Sequence, residues 1–496
     1  MIFIAIGRMI QFALAMVIIR AATSVLTPAE MGRLSLVTAI TAFFALTLVN
    51  PVGMFINRRL HAWEIEGRLR HNFRTYWLYL LLVSSIAGIV IWVAKSTIGI
   101  GLNLPMAWIL ILVGGSLIFG SCNQTYIPSL NLMGHPRWFI TLTIATLLLG
   151  LSLSLLLTRL FGRHAEYWVL GLLLGQTLVG LIGRSVFFRL VRPSSQAGAH
   201  ISVQRPQLLL LFAFAWPLSL SVGLNWVQLQ SYRFVVQKEL GLAQLGILVA
   251  GYTIGAGIII ATEQILSTYF LPAFYKRIAT GGALDQTCAW NDYASALFPS
   301  IIVANFAIAA LTSELIRILA APQFQSAARF VIWGAIAESA RVLVGTYSLV
   351  AHARMQTRVL LLPYAVGACS SVVLVYLLVS RLGIVGAVIG LAVAGAISVV
   401  VSHGLMRSQL PISIPARSAF AAALCGIAIF ALTGMTRSAA LHFGQFASLA
   451  LPVGMTGLAF VAAECWLLRP HLSASPTTAD GRTTSSLLYR PESGDL

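Results

Sequence analysis

The sequence predicts an all-α integral membrane protein with about fourteen transmembrane helices. Hydrophobic residues make up 58% of the 496 positions and charged residues only 9%, whereas a soluble domain carries roughly 25% charged residues. Apolar stretches of about 20 residues, the length that a helix needs to cross a bilayer, recur along the chain between short polar breaks. An internal repeat divides most of these stretches into two sets of six. We therefore expect two six-helix lobes in parallel repeat around a central cavity, plus two extra C-terminal helices.

Hydropathy fixes the position of each predicted helix in turn. In chain order the helices lie near 2–22, 34–56, 76–95, 105–127, 139–160, 168–190, 208–234, 244–270, 293–320, 327–352, 359–380, 383–406, 416–436 and 446–468. These spans predict an N-terminal lobe (1–190), a cytoplasmic linker (191–207), a C-terminal lobe (208–408), extra helices 13 and 14 (409–468) and a disordered cytoplasmic tail (469–496).

The repeat appears when the first half of the chain is aligned with the second. Four pairs of segments match in the same order and at the same helix boundaries: Leu26–Gly32 with Leu240–Gly246, Asn57–Leu60 with Tyr275–Ile278, Thr125–Tyr126 with Thr346–Tyr347, and Arg159–Leu160 with Arg381–Leu382. Six spans repeat as six spans, and an even number gives both copies the same orientation. The copies should be related by an axis along the membrane normal.

The charge distribution predicts the orientation. The net charge is +18, but Lys and Arg are spread over short loops rather than collected in runs with interleaved aromatic residues, so a nucleic-acid partner is not expected. More basic residues fall in the breaks after even-numbered spans than after odd-numbered ones. By the positive-inside rule, both termini should be cytoplasmic. We expect a multi-pass inner-membrane protein.

Enzymatic chemistry has no recognisable signature in the sequence. There is no nucleotide-binding loop, no metal cluster and no nucleophile–base pair in the sequence, and the five cysteines lack the spacing of a metal site or a disulfide framework. We therefore expect a transporter without a cofactor that does not use ATP directly.

Several short segments carry a resemblance to a known family. They are Ile19–Arg20 followed by Leu26–Gly32, the loop Gly134–Arg137, and Arg381–Ala387 before helix 12. With these segments the chain resembles the polysaccharide-biosynthesis (O-antigen and exopolysaccharide) flippase branch of the multidrug/oligosaccharidyl-lipid/polysaccharide exporter superfamily. The resemblance implies a flippase that moves a polyprenyl-diphosphate-linked oligosaccharide from the cytoplasmic to the periplasmic leaflet. It also implies membrane lipids, a polysaccharide polymerase and chain-length proteins as partners.

The first lobe contains candidate residues for the diphosphate. Helix 1 holds Arg8, Gln11 and Arg20, and the acids of the first lobe lie in the breaks between its predicted helices. An arginine binds phosphate oxygens through two parallel hydrogen bonds and keeps its charge when desolvated. The alternative is that Arg8 and Arg20 extend along the helix to place their charges at the headgroups.

Helix 7 contains candidate residues for the sugar. Ser221, Asn225, Gln228 and Tyr232 recur at helical spacing on one face, and such a polar stripe is unfavourable against lipid. The stripe could line the cavity and bind sugar hydroxyls, with Tyr232 or Trp226 as a stacking surface. The alternative is hydrogen bonding between helices of the bundle.

Three charged residues inside helices are candidates for ion coupling, because such charges are costly in a bilayer. Glu338 and Arg341 on helix 10 have the spacing of a local ion pair. Glu263 on helix 8 has no opposite charge three or four residues away, so it is the candidate for the carboxylate that carries a proton.

Two other functions remain open at the level of the sequence. A cation or drug antiporter of the same superfamily would need acids in its cavity, whereas helices 1 and 7 offer arginine and amides. A membrane-embedded polysaccharide polymerase would be expected to have a large loop outside the membrane or a site rich in carboxylates, and neither is apparent.

Overall fold

The computed structural model describes residues 2–97, 104–191, 205–280, 282–354, 356–440 and 445–473. Throughout these ranges the chain is a bundle of packed α-helices joined by short turns, which confirms the predicted all-α membrane fold. Most of the predicted linker (191–207) lies outside the described residues. So does the predicted tail, apart from the last turn of the final helix.

The first lobe is a series of helices, some of which continue into the next through π-helical turns. Its helices are α1 (Ile2–Val25), α2 (Pro28–Phe44), α3 (Asn50–Ile65), α4 (Leu69–Thr97), α5 (Met106–Ile109), α6 (Ser121–Leu132), α7 (Pro136–Phe161) and α8 (Ala165–Leu190). Local sequence sets several boundaries. Thr27 caps α2 by accepting a hydrogen bond from the backbone N–H of Glu30 at 3.3 Å, and Pro28 occupies the first position of that helix.

Three π-helical turns lengthen the second and fourth spans. Ala45–Val49 joins α2 to α3, and Leu110–Gly114 and Ser116–Gly120 join α5 to α6. The second span is therefore continuous from Pro28 to Ile65, 38 residues, and is much longer than predicted. The hydroxyl of Tyr79 donates to the carbonyl of Leu48 at 2.7 Å and satisfies a backbone acceptor inside the first of these turns.

The second lobe and the extra helices follow the same order. They comprise α9 (Arg205–Gln230), α10 (Tyr232–Leu240), α11 (Leu242–Thr280), α12 (Ala283–Ala310), α13 (Thr312–Leu319), α14 (Ala328–Ala353), α15 (Leu361–Leu382), α16 (Ile384–Gln409), α17 (Ala416–Ala440) and α18 (Gln445–Ser473). A 3₁₀ turn, Pro322–Ala327, connects α13 to α14. The last two helices lie outside the lobes, where both pack against α12.

Twelve helical segments of the described chain are long and apolar enough to cross a bilayer. Two further helices, α9 and α14, account for the difference from the expected fourteen. The first of them corresponds, together with α10, to predicted helix 7, and the second carries Glu338 and Arg341. Each of these two helices has 26 residues, so both are as long as their neighbours. Fourteen is therefore an approximate count.

The two lobes repeat the same aromatic contact. In the first lobe Phe73 stacks on Tyr126 with ring centroids 4.7 Å apart, and in the second Trp290 stacks on Tyr347 at 5.3 Å. Tyr126 and Tyr347 are the matched residues of the sequence repeat. This shared geometry supports the repeat, and the exact boundaries of the lobes remain a prediction.

The lobes meet where α2 and α11 begin, and two matched glycines make the contact. A Cβ atom on Gly32 would overlap the carbonyl oxygen of Leu242, and a Cβ atom on Gly246 would overlap that of Pro28. Such reciprocal contacts are expected when two copies face each other across a two-fold axis. We call this end of the bundle, where α1 ends and α2 and α11 begin, the seal end.

Candidate functional site

A cluster of three charged residues lies between α11 and α14. Arg341 donates one hydrogen bond from Nε to Glu338 and a second from Nη2 to Glu263. The side chain of Glu338 is 8% exposed, while those of Glu263 and Arg341 are 25% and 28% exposed. We call these three residues the acid–arginine cluster. With both acids ionised its formal charge is −1.

Glycines allow α11 and α14 to approach closely enough to form this cluster. A Cβ atom on Gly255 would overlap the carbonyl oxygen of Val331, and one on Gly334 would overlap that of Tyr252. Small residues at a helix crossing are a common way for membrane helices to pack closely. The crossing lies a few turns from Glu263 and Arg341, so their side chains can meet across the two helices.

The ion pair predicted between Glu338 and Arg341 is present. Glu263 has no opposite charge three or four residues away on its own helix, but Arg341 pairs with it from the neighbouring helix. The spacing of charges along one helix cannot reveal a partner on another helix. Whether these residues couple an ion to transport stays a prediction.

Polar groups from other helices surround the acid–arginine cluster. Asn305 of α12 donates to Ser339 of α14 at 2.8 Å, next to Glu338 in the chain. Tyr364 of α15 lies within electrostatic range of Arg341, and Tyr293 of α12 lies within range of Glu263. Four helices of the second lobe therefore supply polar side chains around the cluster.

The polar stripe on predicted helix 7 lies mainly inside the bundle. Tyr232 is fully buried against Tyr252, with ring centroids 5.7 Å apart, so it offers no open stacking surface in this conformation. Ser221 and Gln228 are also buried, and the backbone carbonyl of Gln228 accepts a hydrogen bond from Ser371 at 2.7 Å. These contacts match the alternative of packing between helices.

Asn225 and Trp226, also on α9, are less buried than the other candidate residues for the sugar. Asn225 is partly exposed, so it is the member of the predicted stripe that best fits a cavity surface. Trp226 donates from its indole N–H to the carbonyl of Ala39 at 3.0 Å and packs on Phe43, with ring centroids 4.9 Å apart. Trp226 therefore links α9 to α2 across the two lobes.

The predicted arginines of α1 have separate roles in this conformation. Arg8 is exposed, donates to Gln11 at 3.1 Å and lies over the ring of Phe139. The side-chain nitrogen of Gln11 is buried and has no hydrogen-bond partner. Arg20 instead donates to the backbone carbonyl of Ala320, in the turn after α13. The exposed side chain of Arg8 is thus accessible to a ligand, whereas that of Arg20 is occupied by its hydrogen bond to Ala320.

Hydrogen bonds across the lobes close the seal end. Gln323 donates from its amide to the carbonyls of Thr23 and Leu26, each at 2.9 Å, and the N–H of Ala321 donates to the hydroxyl of Thr23 at 3.2 Å. These bonds join Arg20 in holding the end of α1 against the turn after α13. Apart from the matched glycines beside it, no sequence pattern predicted this contact.

A second link closes the same end from α10. Arg233 donates to the carbonyl of Ser35 on α2 at 2.8 Å. The arginine and glutamine side chains of these links donate to backbone carbonyls of the other lobe, so these links do not depend on charge pairing.

One group of side chains has the composition of a metal site. The side-chain oxygens and nitrogens of Glu30, His164 and Glu166 lie within 4.8 Å of one another. However, Glu30 accepts from Arg33 at 2.6 Å and from the backbone N–H of Ala165 at 2.7 Å. Glu30 therefore forms a salt bridge with Arg33 and accepts a hydrogen bond from the N-terminal end of α8, where a negative charge is favourable. These two contacts account for the group without a metal ion.

Comparison with solved structures identifies the fold. Protein-family models gave no match, and neither did curated protein sequences. Lipid II flippase MurJ in an inward closed conformation superposes with a TM-score of 0.67 and 12% identity, over 95% of this chain and 100% of that one. An inward-facing multidrug resistance MATE family transporter gives 0.51 and 16%, over 80% and 94%. The Vibrio cholerae MATE transporter VcmN gives 0.53 and 13%, over 82% and 95%. At these identities the likeness establishes a shared fold.

Proposed function

We propose that the protein is a flippase that moves a polyprenyl-diphosphate-linked oligosaccharide between the leaflets by alternating access, driven by an ion gradient. The observation that carries the proposal is the extent of the structural likeness. The lipid flippase matches 95% of this chain with a TM-score of 0.67, whereas the two MATE transporters match 80% and 82% with scores near 0.5. More of the chain therefore has a counterpart in a protein that carries a lipid.

The contacts of α1 refine the expected site for the diphosphate. Arg8 and Gln11 are the first candidates, because Arg8 is exposed and Gln11 keeps an unpartnered amide N–H group. Arg20 can reach a phosphate only after it leaves the carbonyl of Ala320, which requires the seal end to open. A cargo that meets Arg8 first and Arg20 later would be bound in two successive states.

In this proposal the seal end faces the periplasm and both termini lie in the cytoplasm of a bacterium. The positive-inside bias supports this orientation. The structure then represents a state that is closed on the periplasmic side, where the lipid-linked cargo would be released. A polysaccharide polymerase and chain-length proteins are proposed as later partners of the product.

A cation or drug antiporter is the second candidate. The acid–arginine cluster favours it, because two carboxylates share a single guanidinium and carry a formal charge of −1 that would attract a cation. The basic α1 favours the lipid diphosphate instead.

Reconstitution in vesicles separates the two candidates. The purified protein is placed in vesicles with a labelled polyprenyl-diphosphate oligosaccharide, and an imposed proton or sodium gradient is then varied. We expect gradient-dependent appearance of the label in the opposite leaflet. Gradient-dependent uptake of a cationic drug without movement of the lipid would contradict the flippase proposal.

Orientation can be tested by labelling single cysteines. In a variant without the native cysteines, His61→Cys on α3 and a cysteine in the tail after Pro470 should react with an impermeant maleimide only after the cells are opened. Arg163→Cys, in the exposed turn between α7 and α8, should react in intact cells. The reverse pattern would show that the proposed orientation is wrong.

Arg8 should contribute to binding of the diphosphate. We expect Arg8→Ala to weaken transport about tenfold, because a hydrogen bond to a charged group contributes roughly 1.5 to 3 kcal/mol. Arg8→Lys should recover only part of the activity, since it loses the bidentate geometry. Arg417→Ala, an exposed arginine at the same end of the bundle on an extra helix, is the matched control. Full transport by Arg8→Ala at normal expression would remove Arg8 from the site.

A further inference from the structure

The turn after α13 is held from two sides. On one side it binds the end of α1, through Arg20 to the carbonyl of Ala320 and through Gln323 to the carbonyls of Thr23 and Leu26. This side belongs to the contact between the lobes. Any shift of the turn would therefore change how firmly the seal end is closed.

On the other side the hold is indirect: α13, the helix that leads into the turn, is bound near its start by an extra helix. Arg437 of α17 donates from Nε and Nη2 to the two carboxylate oxygens of Glu314 on α13, at 2.9 and 2.8 Å. The same Nη2 donates to the carbonyl of Ala310 at the end of α12, at 2.8 Å. Arg437 therefore joins α12, α13 and α17 at one point. We call this set of bonds the α17 clasp.

The geometry of the α17 clasp is that of a strong interaction. The Glu314 side chain is only 5% exposed, whereas that of Arg437 is 44% exposed. The Glu314 carboxylate has therefore lost most of its water and relies on Arg437 and on the hydroxyl of Ser313, which donates to it at 2.9 Å. Bidentate arginine–carboxylate pairs are directional as well as strong. They fix the angle of α13, and α13 leads directly into the turn that binds α1.

We propose that Arg437 is a positioning residue for the seal end: helix α17, which lies outside both lobes, sets the stability of the closed state through Glu314 and the turn after α13. In the proposed transport cycle, release of the α17 clasp allows the turn to leave α1 and the lobes to separate at the seal end. The extra helices thereby act on the cycle without contact with the cargo. The inference concerns conformation and does not depend on which cargo is transported.

Distance measurements by electron paramagnetic resonance test this proposal in nanodiscs. One spin label is placed on the first lobe at Arg163→Cys and one on the turn at Gln325→Cys, both exposed positions, in a variant without the native cysteines. With the native clasp we expect one narrow distance distribution. In Arg437→Gln we expect a broader distribution whose mean is longer by about 5 Å, the scale of a one-turn helix shift. Arg437→Lys, which keeps the charge but loses the fork, should give an intermediate result.

Two further variants keep the test decisive. Arg417→Gln removes an arginine from the other end of α17, about 30 Å away at 1.5 Å per residue, and should leave the distribution unchanged. The pair Glu314→Met with Arg437→Met leaves no unpaired buried charge, so it should fold even if Arg437→Gln does not. It should still broaden the distribution. A native distribution in this double variant, or in a folded Arg437→Gln protein, overturns the proposal.

Discussion

Arg341→Met should be the most damaging single substitution in the acid–arginine cluster, with a loss of stability of about 3 to 5 kcal/mol, the usual effect of removing one partner of a buried ion pair. Glu263 and Glu338 would then face each other without the guanidinium that now binds both. The loss should appear as a lower midpoint of thermal unfolding in detergent or nanodiscs. An unchanged midpoint would mean that water or another cation already balances the two acids.

A triple variant separates stability from coupling. Glu263→Gln, Glu338→Gln and Arg341→Met together remove all three charges, and neutral replacement of a whole buried cluster is often tolerated. We expect the midpoint of thermal unfolding to return close to that of the native protein. Transport by this variant should not respond to a proton gradient. Recovery of the gradient response in this folded variant would exclude the cluster from coupling.

Substitution of each acid by itself tests whether Glu263 carries the proton while Glu338 serves as an ion-pair partner of Arg341. Glu263→Gln should abolish transport that depends on a proton gradient while binding of the lipid persists. Glutamine can neither bind nor release a proton, so this variant removes the proton exchange that would bias the two states. Glu338→Gln should lower stability less than Arg341→Met, because Glu263 remains as a partner for Arg341. A full gradient response in Glu263→Gln would remove that residue from the coupling scheme.

Gly246→Ala should prevent the seal end from closing. The new methyl group would overlap the backbone carbonyl of Pro28, which cannot move like a flexible side chain. Overpacking of this kind costs typically 1 to 3 kcal/mol, and here the cost falls on the closed state alone. We expect transport to fall by roughly fivefold to a hundredfold, since 1.4 kcal/mol corresponds to a factor of ten. We also expect residues near Thr23 to become accessible to impermeant reagents.

Gly53→Ala is the matched control for this substitution. Gly53 also lies in a helix of the first lobe, and a Cβ atom there would meet nothing within 4 Å. It should leave transport unchanged and add slightly to helix stability. Gly32→Ala should reproduce the defect of Gly246→Ala, because the two contacts are reciprocal. Normal transport by both Gly246→Ala and Gly32→Ala would show that transport does not require close contact between the two helices at these glycines.

The sequence predicted the fold well because hydropathy and helix length are local properties. It also located the Glu338–Arg341 pair, since both residues share one helix. It did not predict the contact of Arg341 with Glu263 or that of Arg20 with Ala320, because each joins segments that are distant in the chain. The π-helical turns were missed for another reason: Ala45–Val49 is as apolar as an ordinary helix, and hydropathy does not report the hydrogen-bond register.

The contact between Gly32 and Gly246 lies near one end of both helices, and this position has a mechanical consequence. Gly32 and Gly246 lie one turn from the start of segments that run for 38 and 39 residues, or nearly 60 Å each at 1.5 Å per residue. The tightest contact between the two segments therefore lies near one tip of each. A rotation of about 15° there would move the far tips by roughly 13 Å while atoms beside the glycines move only an ångström or two. Such a rotation would admit a bulky headgroup at the opposite end with almost no sliding of the tightly packed contact.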